Sequence, residues 1–186
     1  EQYEPGIESH LHAKNRRIWN GWMCGSLDQS ERHEIAESLQ IDVAELAPLD
    51  EAEQQSVEAV FRARLPVRAA PHNAESINFS ATYVSRRFSL SGFVFPNDAL
   101  FTSATFDEDV HFAFAKFSRR VDFQTTTFSK WGDFRSATFS LRPDFRSATF
   151  GDIADFDSAT FKDHATFRSA TFGGRVEFKF AAFNHR

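Results

Sequence analysis

A mainly β, stacked-repeat fold behind a short α-helical region is what this chain predicts, and three observations predict it. Phenylalanine supplies 23 of the 186 residues, and only Phe61 lies before residue 79. From there Phe recurs at 101, 106, 112, 117, 123, 128, 134, 139, 145, 150, 156, 161, 167, 172, 178 and 183, in alternating steps of 5 and 6. Extended backwards, the same ruler meets Phe95, Leu90, Val84 and Phe79. Fixed-period repetition of this kind marks repeat units that bury their apolar face only by stacking.

Helices do not account for the ruler. A helical face needs apolar residues at i, i+3, i+4 and i+7, and steps of 5 and 6 carry Phe around the whole cylinder. The residue two before each Phe is usually small, as at Ala104, Ala115, Ala137, Ala148, Ala159 and Ala170, and the one between is polar, often Thr or Asp. Small-in, polar-out, Phe-in is the period-two alternation of an extended segment. Each segment is three or four residues long before Ser, Gly, Asp and Arg turn the chain. The ruler alone permits 11 or 22 residues per coil.

The front of the chain differs. Residues 1–65 read as an α-helical N-terminal region, 66–78 as a linker holding Pro66 and Pro71, and 79–186 as the repeat. "IESHLHAKNRRIWNGWM" places Leu11, Ile18, Trp19 and Trp22 near one face and stops at Gly25. "SERHEIAESLQ" offers Ser30 as a cap. "DEAEQQSVEAVFRARLP" opens with Asp50 and Glu53 in capping-box spacing, carries Val57, Val60, Phe61 and Leu65, and ends at Pro66. An apolar solenoid end needs a cap, and these helices are expected to provide it. Phe88 and Phe93 fall where later coils carry Ala, so the first coil is expected to be irregular.

Charge divides at the same boundary. Residues 1–78 carry 7 basic and 14 acidic residues, whereas 79–186 carry 14 and 12. Neither half is basic enough to imply direct nucleic-acid binding. Cys24 is the single cysteine, which excludes an intramolecular disulfide and a Cys-based metal cluster and fits a reducing, cytoplasmic location. No apolar run approaches the ~20 residues of a membrane span. The first residue is Glu1 rather than Met, so a trimmed or partial chain is expected, with room for membrane segments outside it.

"ADFDS" (154–158), "ATFKD" (159–163) and "ATFRS" (165–169) resemble the units of pentapeptide-repeat proteins. The resemblance implies a right-handed four-sided β-solenoid in which one unit forms one side. One residue inserted after every second unit would give 22 residues per coil, about five coils, and one-residue bulges on two edges. The ruler then sorts into four stacks: Phe79 to Phe167, Val84 to Phe172, Leu90 to Phe178 and Phe95 to Phe183. Rings one strand spacing apart, ~4.8 Å, suit offset stacking.

In that register the outside is also defined. Thr105, Thr127, Thr149 and Thr171 form a ladder, and His111, Asp133, Asp155 and Glu177 a mostly acidic stripe. One edge stacks Asp98, Arg120, Arg142 and His164 and, with Arg119, is locally basic. The opposite edge stacks Asp109, Trp131, Ile153 and Arg175, leaving Trp131 and Ile153 exposed, which is unusual for a solvated edge. The candidate interaction surface is therefore Arg119, Arg120, Arg142, His164, Trp131 and Ile153.

His10 and His12 lack the further ligands a metal needs, Cys24 lacks an activating partner, and Gly173–Gly174 lacks a phosphate-loop context. Lys14, Arg16 and Arg17 beside Trp19 and Trp22 read as a solvated helix face over an apolar seam. No catalytic signature, cofactor or metal is expected. The resemblance implies a non-catalytic protein-interaction scaffold. The alternative is a DNA mimic that inhibits or protects a type II topoisomerase such as gyrase, for which a repeat of net +2 is a poor match. The repeat runs to Phe183 without a cap, which leads to two expectations: an end-to-end homodimer through the C-terminal coil, as some family members form, or a longer repeat cut short.

Overall fold

Alternating five- and six-residue steps turn the chain through four corners per coil, and the computed structural model shows how. It describes residues 5–25, 27–39, 42–64 and 76–184, with side chains at 12–25, 27–37, 42–59 and 76–184. The chain divides into two compact units, Glu1–Glu75 and Ser76–Arg186.

The second unit is a β-solenoid of about five coils. Parallel pairs join residues 22 apart: Thr127↔Thr149 on one side, Gly132↔Ala154 on the next and Thr138↔Thr160 on the third. The fourth side pairs Ile77↔Ala99, then Leu100↔Asp122, then Asp122↔Asp144. This decides between 11 and 22 residues per coil. Most strands are two residues long, as at Thr127–Phe128 and Ala154–Asp155. The exceptions are Lys116–Asp122 and Thr138–Asp144, which continue around one corner.

The five-residue steps are type II turns. In each, the N–H three residues after a ruler position donates back to its carbonyl, as Ala137 to Phe134 (3.1 Å) and Ala148 to Phe145 (3.1 Å). The third turn residue takes positive φ: Ala81, Gly92, Ser103, Phe114, Thr125, Ser136, Ser147, Ser158, Ser169 and Phe180, spaced by 11. Such turns favour Gly there, yet Ser is the commonest choice in this chain. The residue before the ruler position caps the turn. Asp122, Asp133, Asp144 and Asp155 each accept the N–H two residues on, at 2.9–3.2 Å. This is the local Asp-to-backbone bond of an Asx turn.

The core is aromatic throughout. Twelve phenylalanines between Phe95 and Phe161 are essentially fully buried, each contributing roughly 1.5–3 kcal/mol. Rings 22 apart stack nearly parallel: Phe101–Phe123 at 4.8 Å and 13°, Phe134–Phe156 at 4.9 Å and 6°, Phe139–Phe161 at 5.0 Å and 11°. Across the tube, opposite stacks meet edge-on, as Phe134–Phe145 at 5.6 Å and 88°. Both arrangements are those the ring quadrupole prefers.

The first coil is regular, contrary to expectation. Phe88 pairs in register with Val110, and Val94 with Lys116. The reason is compensation of volume. Val84 and Leu90 are smaller than Phe, and the Phe88 ring lies near-parallel to Phe106 at 6.1 Å, filling the space above it.

In the first unit, helix α1 spans Pro5–Met23, α2 Gln29–Leu39 and α3 Glu51–Arg64, with a 3₁₀ turn at Val43–Leu46. Asp50 and Glu53 form the expected capping box at 2.8 and 3.1 Å. Ser30 is not the cap of α2. Asp28 is, exchanging backbone bonds with Glu31 at 2.8 and 2.9 Å, because Asp28 precedes Glu31 by the three residues a capping box requires. Among the described side chains of α1, at 12–23, the most buried are Asn20, Gly21 and Met23 rather than Ile18, Trp19 and Trp22. A Cβ at Gly21 would meet the Ala47 carbonyl and Leu49 at 2.7 Å, so the glycine admits the 47–49 segment. The expected apolar contacts of Leu11, Val60, Phe61 and Leu65, and the stop at Pro66, lie outside the described residues.

Candidate functional site

The two edges picked out by the inserted residues are built differently. On one, Trp131 and Ile153 are half-buried rather than exposed. Trp131 lies edge-on to the His111 ring at 5.2 Å, with the Arg135 guanidinium 4.9 Å over its own face. Its backbone N–H donates to Asp109 at 3.4 Å, and its indole Nε1 is buried with no hydrogen-bond partner among the described residues. The ring turns inward because a neighbouring imidazole and a cation offer it contact. Gly173 and Gly174 have a packing role. A Cβ at either would fall 2.6 Å from the Gly151 carbonyl oxygen or 2.2 Å from that of Asp152.

The acidic stripe is not a row of free carboxylates. Asp133 and Asp155 are buried as turn caps. Burial opposes ionisation of Asp133, but hydrogen bonds from His111 (3.0 Å) and Arg135 (2.9 Å) outweigh it and lower its pKa. Asp155 is raised, first by burial and then by the Asp133 and Asp157 carboxylates, against a bond from the Asp157 N–H. Asp155, Asp157 and Glu177 bring carboxylate oxygens within 4.8 Å of one another, an arrangement able to hold a cation. All three are already engaged in the fold, since Asp155 accepts the Asp157 N–H, Asp157 accepts the Lys179 N–H at 2.7 Å and Glu177 pairs with Arg175 at 3.3 Å.

On the other edge, the extra residue opens the surface. Arg120 pairs with Leu141 rather than with Arg142, and the register recovers only at Asp122↔Asp144. Arg142 is thereby displaced as a bulge with φ 31, its side chain 77% exposed and 3.6 Å from Asp163. Arg120 reaches Asp122 at 2.6 Å, and its N–H meets Asp98 at 3.1 Å. Pro143 follows with no N–H to donate. Toward the next coil the pairing past Phe139↔Phe161 falls to the single bridge Asp144↔Thr166.

The result is an open groove of about 600 Å³ lined by Arg120, Arg142, Asp144 and Arg146 from two coils and by His164, Thr166 and Arg168 from the next. The structure thus brings together three of the sequence-derived candidates, Arg120, Arg142 and His164. Arg119 is exposed beside them but does not line the groove, and Trp131 and Ile153 belong to the other edge. Sequence reasoning missed Arg146 and Arg168 as site residues. Their 22-residue spacing was the available signal.

Thr166 stands where the preceding coils carry Asp122 and Asp144. Asp144 holds Arg146 through bonds of 2.7–3.0 Å. Burial works against its ionisation, but Arg146 more than compensates and lowers its pKa. Arg168 has no such acid two residues before it and makes no ion pair among the described residues.

In the first unit the basic run is engaged internally. Arg16 forks onto Glu45 with two bonds of 2.8 Å, and Arg17 lies 3.7 Å from Glu53. Cys24 is buried just past the end of α1. His12 is half-buried, and the side chain of His10 lies outside the described residues. No helix among the described residues is long and apolar enough to cross a membrane.

Four sides of five- and six-residue steps, capped by Asp and filled by Phe, agree with one comparison. Residues 134–182 match the family described as pentapeptide repeats (9 copies). This segment is made of pentapeptide repeats. No curated protein and no solved structure matches the chain. A pentapeptide-repeat solenoid is consistent with a non-catalytic scaffold.

Proposed function

We propose that this chain is a non-catalytic scaffold that holds protein partners on the corners of a rigid pentapeptide-repeat solenoid. The observation that supports this most directly is Phe114. Ten corner positions share positive φ, and eight of them hold Ala, Gly, Ser or Thr. Phe114 and Phe180 are the exceptions, 53% and 85% exposed. A bulky side chain at positive φ is an outlier, and one placed in water gains nothing from burial. Strain of that kind is a reason to look for function, and contact with a partner would bury the ring.

Affinity capture from the native host, comparing the wild type with F114S, tests the proposal. The substitution should leave stability within about 0.5 kcal/mol and remove bound protein. An unchanged set of captured proteins would overturn the reading. Exposed Phe172, Val176, Phe178 and Phe183 support pairing of two copies through the last described coil as part of the same proposal. Light scattering that returns a monomer mass removes that part.

A further inference from the structure

We propose that the groove on the basic edge binds a phosphate-bearing ligand of two or more negative charges. The proposal does not rest on the scaffold reading. Its lining holds four guanidinium groups against one carboxylate, Asp144. With His164 neutral the lining side chains carry +3, and Asp122 and Asp163, paired with Arg120 and Arg142, bring the whole cluster to +1, with the excess on Arg168 and the outward-displaced Arg142. Arginine forks set side by side in this way are suited to the several oxygens of a phosphate ester or diphosphate.

The cations are not equivalent, and the difference identifies the binding groups. Arg120 and Arg146 are held by Asp122 and Asp144 at 2.6 and 2.7 Å. They supply field. Arg142 is displaced outward by the bulge, with Asp163 no nearer than 3.6 Å. Arg168 has lost its acid to Thr166. These two guanidiniums are available as donors, with the Thr166 side chain in the lining beside them. Pro143 contributes to the opening, since it has no N–H to donate to the next coil, although its carbonyl still accepts the Thr166 N–H at 3.1 Å. Its volume of about 600 Å³ lies within the roughly 300–1,000 Å³ of small-ligand sites, more than a bare phosphate needs.

Calorimetric titration of the full chain with inorganic diphosphate tests this. Binding should weaken at least ~10-fold in R142Q/R168Q, the change that losing about 1.4 kcal/mol produces. T166D should weaken it similarly. That variant restores the acid the preceding coils carry, so it should fold as the wild type does, as a thermal melt will check. R175Q, on the other edge, should change nothing. ADP and vesicles containing phosphatidic acid, titrated in parallel, distinguish a soluble phosphate ester from a lipid headgroup. Binding of diphosphate with either carrier, or with neither, supports the site. No binding of any of these probes, an unchanged affinity in T166D, or tighter binding of a poly-glutamate peptide than of diphosphate would overturn it.

Discussion

Phe134 lies at the centre of the solenoid, and its truncation should be far more damaging than that of Phe183, a ring with the same sequence role. Phe134 is fully buried. It stacks on Phe112 at 5.1 Å and Phe156 at 4.9 Å, and meets Phe123, Phe128 and Phe145 edge-on at 5.5–5.6 Å. Five pairs at about 0.5–1.5 kcal/mol each would give about 2.5–7.5 kcal/mol if they were additive. Neighbouring rings share contacts, so they are not. A buried Phe→Ala change costs about 3–5 kcal/mol with its cavity, and F134A belongs near 5, because rigid coils on both sides limit collapse. Phe183 is 57% exposed, with one stacked neighbour, Phe161 at 4.6 Å, and one tilted, Phe178 at 6.1 Å. Its loss should cost about 1 kcal/mol, from the partial burial it has.

Thermal unfolding followed by far-UV circular dichroism separates these cases. Each kcal/mol moves the midpoint of a domain this size by about 4 °C, so F134A should melt roughly 20 °C lower and F183A about 4 °C lower. F134L is the control for filled volume and should cost under about 1.5 kcal/mol, since Leu90 already occupies that stack in the first coil. Equal losses for F134A and F183A would refute the dependence on position. An F134L as unstable as F134A would show that ring geometry, not filled space, dominates.

D133N keeps a turn-capping oxygen but removes the charge that His111 and Arg135 bind. It should destabilise the fold at neutral pH and remove the part of the acid loss that, for a lowered pKa, begins as pH falls below about 4. Asp155, with a raised pKa, is penalised when ionised, so D155N should raise the neutral-pH midpoint, and the gain should shrink as pH falls. D144A should cost about 1–2 kcal/mol by denaturant titration, because it loses the bond to the Arg146 N–H as well as to the guanidinium, whereas R146A should shift the midpoint less, since water screens its charge. G151A should cost about 1–3 kcal/mol in the same titration, since its Cβ would lie 2.6 Å from the Ser129 carbonyl oxygen. In a supercoiling assay of a type II topoisomerase the chain should neither inhibit nor protect, because Asp133 and Asp155 are buried caps rather than an exposed acidic row.

The stacks were legible in the sequence because volume and spacing are all that a narrow tube asks of its core. Polar positions were harder. Alternation says that Asp133 faces away from the rings, and that is correct, but it does not say that the carboxylate folds back onto the N–H of Arg135. Asp28 was hidden by Ser30, a competing cap two residues on. Trp131 was misjudged because an inserted residue at an edge has no partner in the pattern, and its burial depends on His111 and Arg135, from other parts of the coil. Arg142 illustrates the same limit. Counting by 22 stacks it on Arg120, but the bulge shifts the register by one step, and Leu141 takes the pairing place.

The turn phrase Asp-Phe-Arg-Ser shows why departures are informative. Its acid is held by backbone geometry. The acceptor must reach an N–H two residues on, and Asp or Asn serves that purpose at 78, 122, 133, 144 and 155. The residue after the Phe meets no such demand, and the chain places Gln124, Arg135, Arg146, Asp157, Arg168 and Lys179 there. Charge at that position is free to vary without cost to the coil, whereas loss of the acid is not. At Thr166 the chain gives up the cap and keeps the arginine. The coil is weakened at that point, and the only local return is an unneutralised guanidinium facing the groove that Pro143 helps to open. Leu100 and His111 also forgo the acid, but neither Phe101 nor Phe112 is followed by an arginine, whereas Thr166 loses the acid, keeps Arg168 and lies in the groove.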